Sequence, residues 1–562
     1  MPTNEDATLP APSPVPAPET TAKTPAKTTA KTPAKTTAKT PAKTTAETPA
    51  KTTAEAAAEA TAAASTPEAP LAAPAGVPPA APAAHDRLAP GDATVIGLLL
   101  VSAFVVILNE TIMGVALPRL MADLGITAAT GQWLTTGFML TMAVVIPATG
   151  FIMTRFRLRQ VFAAAMGLFS LGTAVAAAAP GFEVLLLGRI VQAGGTAVMM
   201  PLLMTTAMTL VPPAARGRTM GTISIVISVA PAIGPTLSGL ILSALSWRWM
   251  FILVLPIALL ALGLGLWKVR DVTTPREARL DVPSLALSAV GFGGLIYGLA
   301  STGEAAGGHA PVAPWIPVAV GVLALAAFVA RQSRLQRGST HGPLMDLRVF
   351  ADRSFTISSL VLVISFMGLF GTLIVLPIFL QTVLRLGSLE TGLLLLPGGA
   401  LMGVLSPVVG RLFDRYGPRP LVVPGAVVVS AGLWLLATLH PGTPAGMVVL
   451  AHGLVSLGLA FMFTPLFTSA LGSLRAELYA HGSAVVGTVQ QLAGAAGTAL
   501  FVTVLSTTSA DRLAEGASAL DAVADGVRSA FVWGGVISLV ALAASLLVRR
   551  PPLVLGPRTP VH

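Results

Sequence analysis

The sequence predicts an all-α polytopic membrane protein with fourteen transmembrane helices. Three observations predict it. The 562 residues are 54% hydrophobic and only 11% charged, too apolar for a soluble protein of this length. Apolar runs of about twenty residues, enough for a helix to cross a bilayer, recur along the chain. Basic residues gather in every second connection between those runs. There is no cysteine, so neither a disulfide framework nor a thiolate metal site is available.

Residues 1–92 come first, and 21–54 repeat the unit KTPAKTTA. Proline recurs too often for a helix and there are no large apolar side chains to bury, so a disordered tail is expected. It lacks the apolar core of a secretory signal. The alternative is a weak tether to anionic lipid or a partner through its diluted lysines.

The apolar runs predict helices at 94–117, 132–153, 158–179, 183–210, 217–243, 248–267, 282–301, 313–331, 354–380, 389–411, 420–439, 445–470, 484–506 and 527–548. Arg155, Arg157 and Arg159 follow the second, and Arg216 and Arg218 the fourth. Lys268, Arg270, Arg276 and Arg279 follow the sixth, and Arg331, Arg334, Arg337, Arg348 and Arg353 the eighth. Arg411, Arg415 and Arg419 follow the tenth. This alternation puts both termini in the cytoplasm of a cell-membrane protein. It also accounts for the net charge of +10 without nucleic acid, because the tail is close to neutral.

The chain repeats at an offset of about 260 residues. Leu117-Pro118 answers Leu376-Pro377, Pro147 and Gly150 answer Pro407 and Gly410, and Met200-Pro201-Leu202 answers Thr464-Pro465-Leu466. Six helices with short loops need roughly 190 residues, so the surplus is the seventh and eighth spans. The expected organisation is a tail at 1–92, a six-helix bundle at 93–267, two inserted helices with cytoplasmic linkers at 268–353, a second bundle at 354–550 and a cytoplasmic tail at 551–562. Two parallel halves with a site between them is the plan of a rocker-switch transporter. The fifth span carries Pro231, Gly234, Pro235 and Gly239, which predicts a bent helix closely approached by a neighbour.

With these residues placed, the chain resembles the major facilitator superfamily over about 94–550. It is most similar to the fourteen-helix drug:proton antiporter branch (the EmrB/QacA group) and, within it, to lincomycin-resistance-type efflux proteins. Four segments carry the likeness: Leu108-Asn109-Glu110-Thr111-Ile112, Gly188-Arg189-Ile190-Val191-Gln192-Ala193-Gly194-Gly195, Gly234-Pro235-Thr236-Leu237-Ser238-Gly239 and Trp247-Arg248-Trp249. The resemblance implies proton-driven export by alternating access, an antiporter motif in the fifth helix, and no cofactor besides the proton gradient. Two departures stand out. The first-helix acid is Glu110 where relatives often carry one at the position of Asn109, a turn of about 100° round the helix. The loop motif after the second helix has Thr154 for its acid and Arg157 for its glycine. Its second copy, Gly410-Arg411-Leu412-Phe413-Asp414-Arg415-Tyr416-Gly417, is intact and makes Asp414 and Arg415 the candidate cytoplasmic gate.

Glu110 is the acid placed well inside a span, where an ionised carboxylate must face the bundle interior, find a partner or hold a proton. Arg189 is the matching cation, at a similar depth of roughly 10 Å. They are read as a proton-coupling pair, against a static pair that fixes packing. Asn109, Gln132, Trp133, Gln192 and Tyr297 are candidate substrate contacts in a mostly apolar cavity. Singly, the amides serve as well to stitch helices, and Trp133 to anchor at the interface. His452 is titratable but reads first as an interhelical histidine, and Gln490-Gln491 as close packing.

An ATP-driven pump is excluded on this chain, because Lys268, the single lysine beyond the tail, is in no phosphate loop. A membrane-embedded enzyme would want clustered acids or histidines at one face, which the short loops lack. Uniport, import or export of one specific metabolite remains open, as does the substrate. The expected partners are small amphiphilic compounds, protons and lipid, with a monomeric chain.

Overall fold

The computed structural model describes residues 90–126, 128–271, 275, 280–301, 312–337 and 343–549. The repetitive tail through 89, Arg276, Arg279 and residues 550–562 lie outside the described residues, as do the side chains of Pro118, Gln132 and Pro235. The described residues belong to one folded unit, Pro79–His562.

Among them are fourteen helices long and apolar enough to cross a membrane. In chain order these are α1 (Pro90–Leu124), α2 (Ala128–Arg155), α3 (Leu158–Ala177), α4 (Phe182–Leu210), α5 (Arg216–Ala244), α6 (Arg248–Lys268) and α7 (Val282–Ala300). Then come α8 (Trp315–Leu335), α9 (Arg353–Ile378), α10 (Ser388–Tyr416), α11 (Arg419–Leu436), α12 (Ala445–Gly472), α13 (Tyr479–Ala514) and α14 (Ala519–Ser545). No strand occurs among the described residues.

Each expected span is met by a helix, but the ends differ. α1 runs to Leu124, α10 to Tyr416 and α13 from Tyr479 to Ala514. The acidic segment expected as a loop at 506–526 is mostly helix, with Arg512 bonded to Glu515 and Asp525. Hydropathy falls where a span leaves the bilayer, whereas the backbone ladder ends only at a cap or breaker. Gly417, at φ 81°, is such a stop for α10. Asp281, Asp352 and Ser518 start α7, α9 and α14 by accepting the N–H of Ser284, Phe355 and Asp521. After Pro377, α9 passes into a π-turn at Phe379–Val383, as an interrupted ladder permits.

Between the first six helices and the last six, the packing runs along two seams, α5 against α10 and α2 against α13. The inserted α7 and α8 pack on each other, and α7 also lies on α2 and α13. α8 leaves Trp315, Leu323 and Val322 exposed, as a lipid-facing helix does. α5 is helical through Pro231 and Pro235 and packs most extensively on α10. Gly234 fits the expected close approach, since a Cβ there would sit 2.2 Å from Thr111 Oγ1 on α1. Gly239 does not: it is exposed, with nothing within 4 Å of where its Cβ would be, because it faces away from both neighbours.

Candidate transport site and closed gate

The polar cluster is built on α1, α3 and α4. Arg189 is 1% exposed, and its guanidinium lies 4.0 Å over the ring of Phe138 on α2. Nη1 donates to Asn109 Oδ1 at 3.3 Å and to Gln192 Oε1 at 2.5 Å. Gln192 in turn donates from Nε2 to Thr173 Oγ1 at 2.8 Å. Asn109 Oδ1 and both ends of the Gln192 amide are therefore taken up by Arg189 and Thr173. Arg189 Nε has no hydrogen-bond partner among the described residues.

Glu110 neighbours this cluster and is half-buried. It is within electrostatic reach of Arg189, but no described residue forms a salt bridge with it within 4 Å or donates a hydrogen bond to it. The guanidinium is held by neutral amides and an aromatic face, and among the described residues the Glu110 carboxyl has no hydrogen-bond or ion-pair partner. A carboxyl in that position can exchange a proton without first breaking an ion pair.

The other candidates separate. Trp133 and Tyr297 stack with centroids 6.1 Å apart where α2 meets α7, and Trp133 is 43% exposed. They therefore stand apart from the Arg189 network. His452 is buried in α12 against α10, where a Cβ on Gly398 would lie 2.6 Å from its ring, and its Nδ1 has no partner among the described residues. Gln491 Nε2 reaches Met142 Sδ on α2 at 3.6 Å.

The second centre is the end carrying the arginine-rich connections, and it is shut. Asp414, at the end of α10, accepts the N–H of Gly217 at 2.7 Å and of Arg218 at 2.9 Å at the start of α5. The carboxylate meets a helix N-terminus, where unpaired N–H groups and the helix dipole favour negative charge. Arg415 takes no part, since it is exposed over Tyr416. Hydrogen bonds between the two sets of helices cluster near this end: Ser224 with Thr464, Thr205 with Ser483, and Arg216 with Tyr479. In the first half, Thr154 donates to its own helix at Phe151 O, so no acid holds the equivalent place. Sequence reasoning missed Gly217 and the α5 backbone as the partners of Asp414. The intact second loop motif pointed to the acid, but nothing local to it pointed to the N–H groups that donate to it.

Fourteen bilayer-length helices, packed along two seams and sealed at one end, define a polytopic membrane transporter. The family profile described as Major Facilitator Superfamily matches residues 99–498, and the chain belongs to that family. It is 39% identical over 461 residues to the lincomycin resistance protein LmrB of Listeria monocytogenes, covering 81% of this chain and 96% of the relative. It is 39% identical to the uncharacterized MFS-type transporter YcnB of Bacillus subtilis, covering 82% and 95%. The multidrug resistance protein B homolog of Mycobacterium tuberculosis is 30% identical over 75% of this chain and 77% of its own length. Among solved structures, the human organic anion transporter MFSD10 superposes with a TM-score of 0.59 at 15% identity, covering 81% of this chain and 100% of that one. The proton:xylose symporter XylE gives 0.57 at 16%, covering 82% and 96%. At those identities the likeness speaks for the fold.

Proposed function

We propose that this transporter exports amphiphilic, drug-like compounds in exchange for protons, by alternating access between its two six-helix bundles at 93–267 and 354–550. The observation that carries the coupling is Glu110, a carboxyl in a bilayer-spanning helix, within electrostatic reach of Arg189 and unpaired among the described residues. Entry of a proton neutralises Glu110, and a bound cationic or neutral amphiphile then competes for the same space. Resistance-protein relatives matched over most of the chain support the drug-export direction, and they make lincosamides the first compounds to try.

The arginine-rich connections support a plasma-membrane protein with both termini in the cytoplasm. The sealed end is then the cytoplasmic one, and the structure is occluded from the cytoplasm. The chain works as a monomer with no cofactor beyond the gradient. Asn109 and Gln192 position Arg189, while Trp133 and Tyr297 border the substrate route at the α2–α7 contact.

The test is accumulation of radiolabelled lincomycin and of a lipophilic cation in inverted vesicles. An imposed inside-acid gradient should drive accumulation, and a protonophore should abolish it. Accumulation that ignores the protonophore contradicts proton coupling and points to uniport.

A further inference from the structure

Glu110 and Arg189 lie within electrostatic reach of each other, yet they are not paired in this conformation. Arg189 Nε has no hydrogen-bond partner among the described residues, so a donor is in hand for a carboxylate. What covers the guanidinium instead is the ring of Phe138 on α2, 4.0 Å away and 2% exposed. Away from water such a contact rivals a hydrogen bond between neutral groups. A guanidinium held by Phe138, Asn109 and Gln192 is kept off the carboxyl.

Phe138 heads a stripe of α2 that ends on the other bundle. Phe138, Met142, Ile146 and Gly150 follow at every fourth residue, so each step turns the stripe by about 40° round the helix. The first three form one buried cluster with Ala193 and Ala197 of α4. α13 touches the same stripe. Gln491 Nε2 reaches Met142 Sδ at 3.6 Å, and a Cβ on Gly487 would lie 3.2 Å from Ile146 Cγ2. A Cβ on Gly150 would lie 2.7 Å from His481 Nδ1. α2 is therefore seated between the helix that carries Arg189 and a helix of the opposite bundle, and α13 backs the cluster that supports Phe138.

We propose that Phe138 is the positioning residue through which the α2–α13 seam controls the pairing of Arg189 with Glu110. With the seam closed, the ring and the amides keep the guanidinium, and Glu110 is free to hold a proton. When α13 leaves, Met142 and Ile146 lose their backing, α2 shifts and the ring slides off Arg189. Arg189 then donates to Glu110; the carboxyl O–H bond breaks and its proton passes to water in the cytoplasmic opening. Phe138 acts through Arg189 alone. The proposal rests on the proton-coupled, alternating-access reading given above.

Infrared difference spectra of the reconstituted full chain in mildly acidic buffer measure protonated Glu110, whose carboxylic C=O band is the one lost in Glu110→Gln. Phe138→Leu should lower the protonated-to-ionised ratio about tenfold, the effect of one desolvated cation–ring contact, and Phe138→Tyr, which keeps the ring, should restore it. Phe138→Met is the second non-aromatic variant, used if Phe138→Leu does not fold. The seam is tested separately. The chain has no cysteine, so a spin-label pair at Arg155→Cys and Arg475→Cys, both exposed, reports whether this end is open. Asp414→Asn and Gly410→Ala each loosen the α5–α10 contact, and in whichever opens this end the Glu110 band should fall without substrate. A band unchanged in the non-aromatic variants, equally reduced in Phe138→Tyr, or unchanged in the opened protein overturns the proposal while proton coupling stands. No Glu110 band in wild type overturns the coupling reading and this proposal with it. If neither variant opens this end, alternating access there fails and the proposal with it.

Discussion

Gly410→Ala places a methyl group where α10 touches α5. The new Cβ would sit 2.2 Å from Gly217 O and 2.9 Å from its carbonyl carbon, both backbone atoms. Ordinary contact begins at 3.4 Å, so the helices must part by about 1 Å at this point. Overpacking of this kind costs about 1–3 kcal/mol. The cost falls on the conformation in which this end is closed, because the contact vanishes when the halves separate. The open-to-closed ratio should therefore rise roughly 5- to 150-fold. The labelled pair at Arg155→Cys and Arg475→Cys reads the ratio directly, and thermal unfolding in detergent separates a population shift from simple loss of stability. An unchanged distance distribution in a folded variant refutes the idea that the Gly217–Gly410 contact is a gate.

The other expectations concern the polar cluster and the inserted pair. Arg189→Lys keeps the charge but loses the planar face over Phe138 and the geometry that reaches both Asn109 and Gln192, so transport should fall at least about tenfold in a folded protein. Thr205→Ala removes a bond to Ser483 across the α4–α13 contact, and about 0.5–1.5 kcal/mol of closed-state preference should show in the same distance measurement. Asp281→Asn cuts the tie between α7 and α8 and should lower the melting temperature. Hydrogen bonds from Arg331 hold the Asp281 carboxyl at about 2, against an ordinary 3.8. A depressed carboxyl contributes stability above its unfolded value and loses it as pH falls through the folded one. The difference between wild type and Asp281→Asn should thus be constant above roughly pH 5 and shrink towards pH 2.

The number of helices was legible because the bilayer imposes a minimum apolar length that few other constraints mimic. Their ends were not: α13 and α14 continue well past the apolar runs, held by backbone bonds and by Arg512 between Glu515 and Asp525. In the candidate site, residue type marked the candidates but not their partners. Glu110 and Arg189 stand out as charges in apolar helices, yet only the packing of α1, α3 and α4 shows Arg189 taken up by Asn109 and Gln192. Asp414 was visible in a loop motif, whereas its donors are backbone N–H groups, which every residue but proline carries. Asp346 lies in a connecting segment with no periodicity or motif, and its burial against His481 depends on a contact 135 residues away.

The central claim is that Glu110 carries the proton that drives export. Inverted vesicles loaded with a pH dye and acidified inside test it, with lincosamides, lipophilic cations and detergents added in turn. Glu110 has no hydrogen-bond partner among the described residues, so Glu110→Gln should fold normally and bind substrate. Substrate-triggered proton release from wild type and none from Glu110→Gln is the predicted result. Equal release from both would contradict the claim and move the coupling to another titratable group, His452 first.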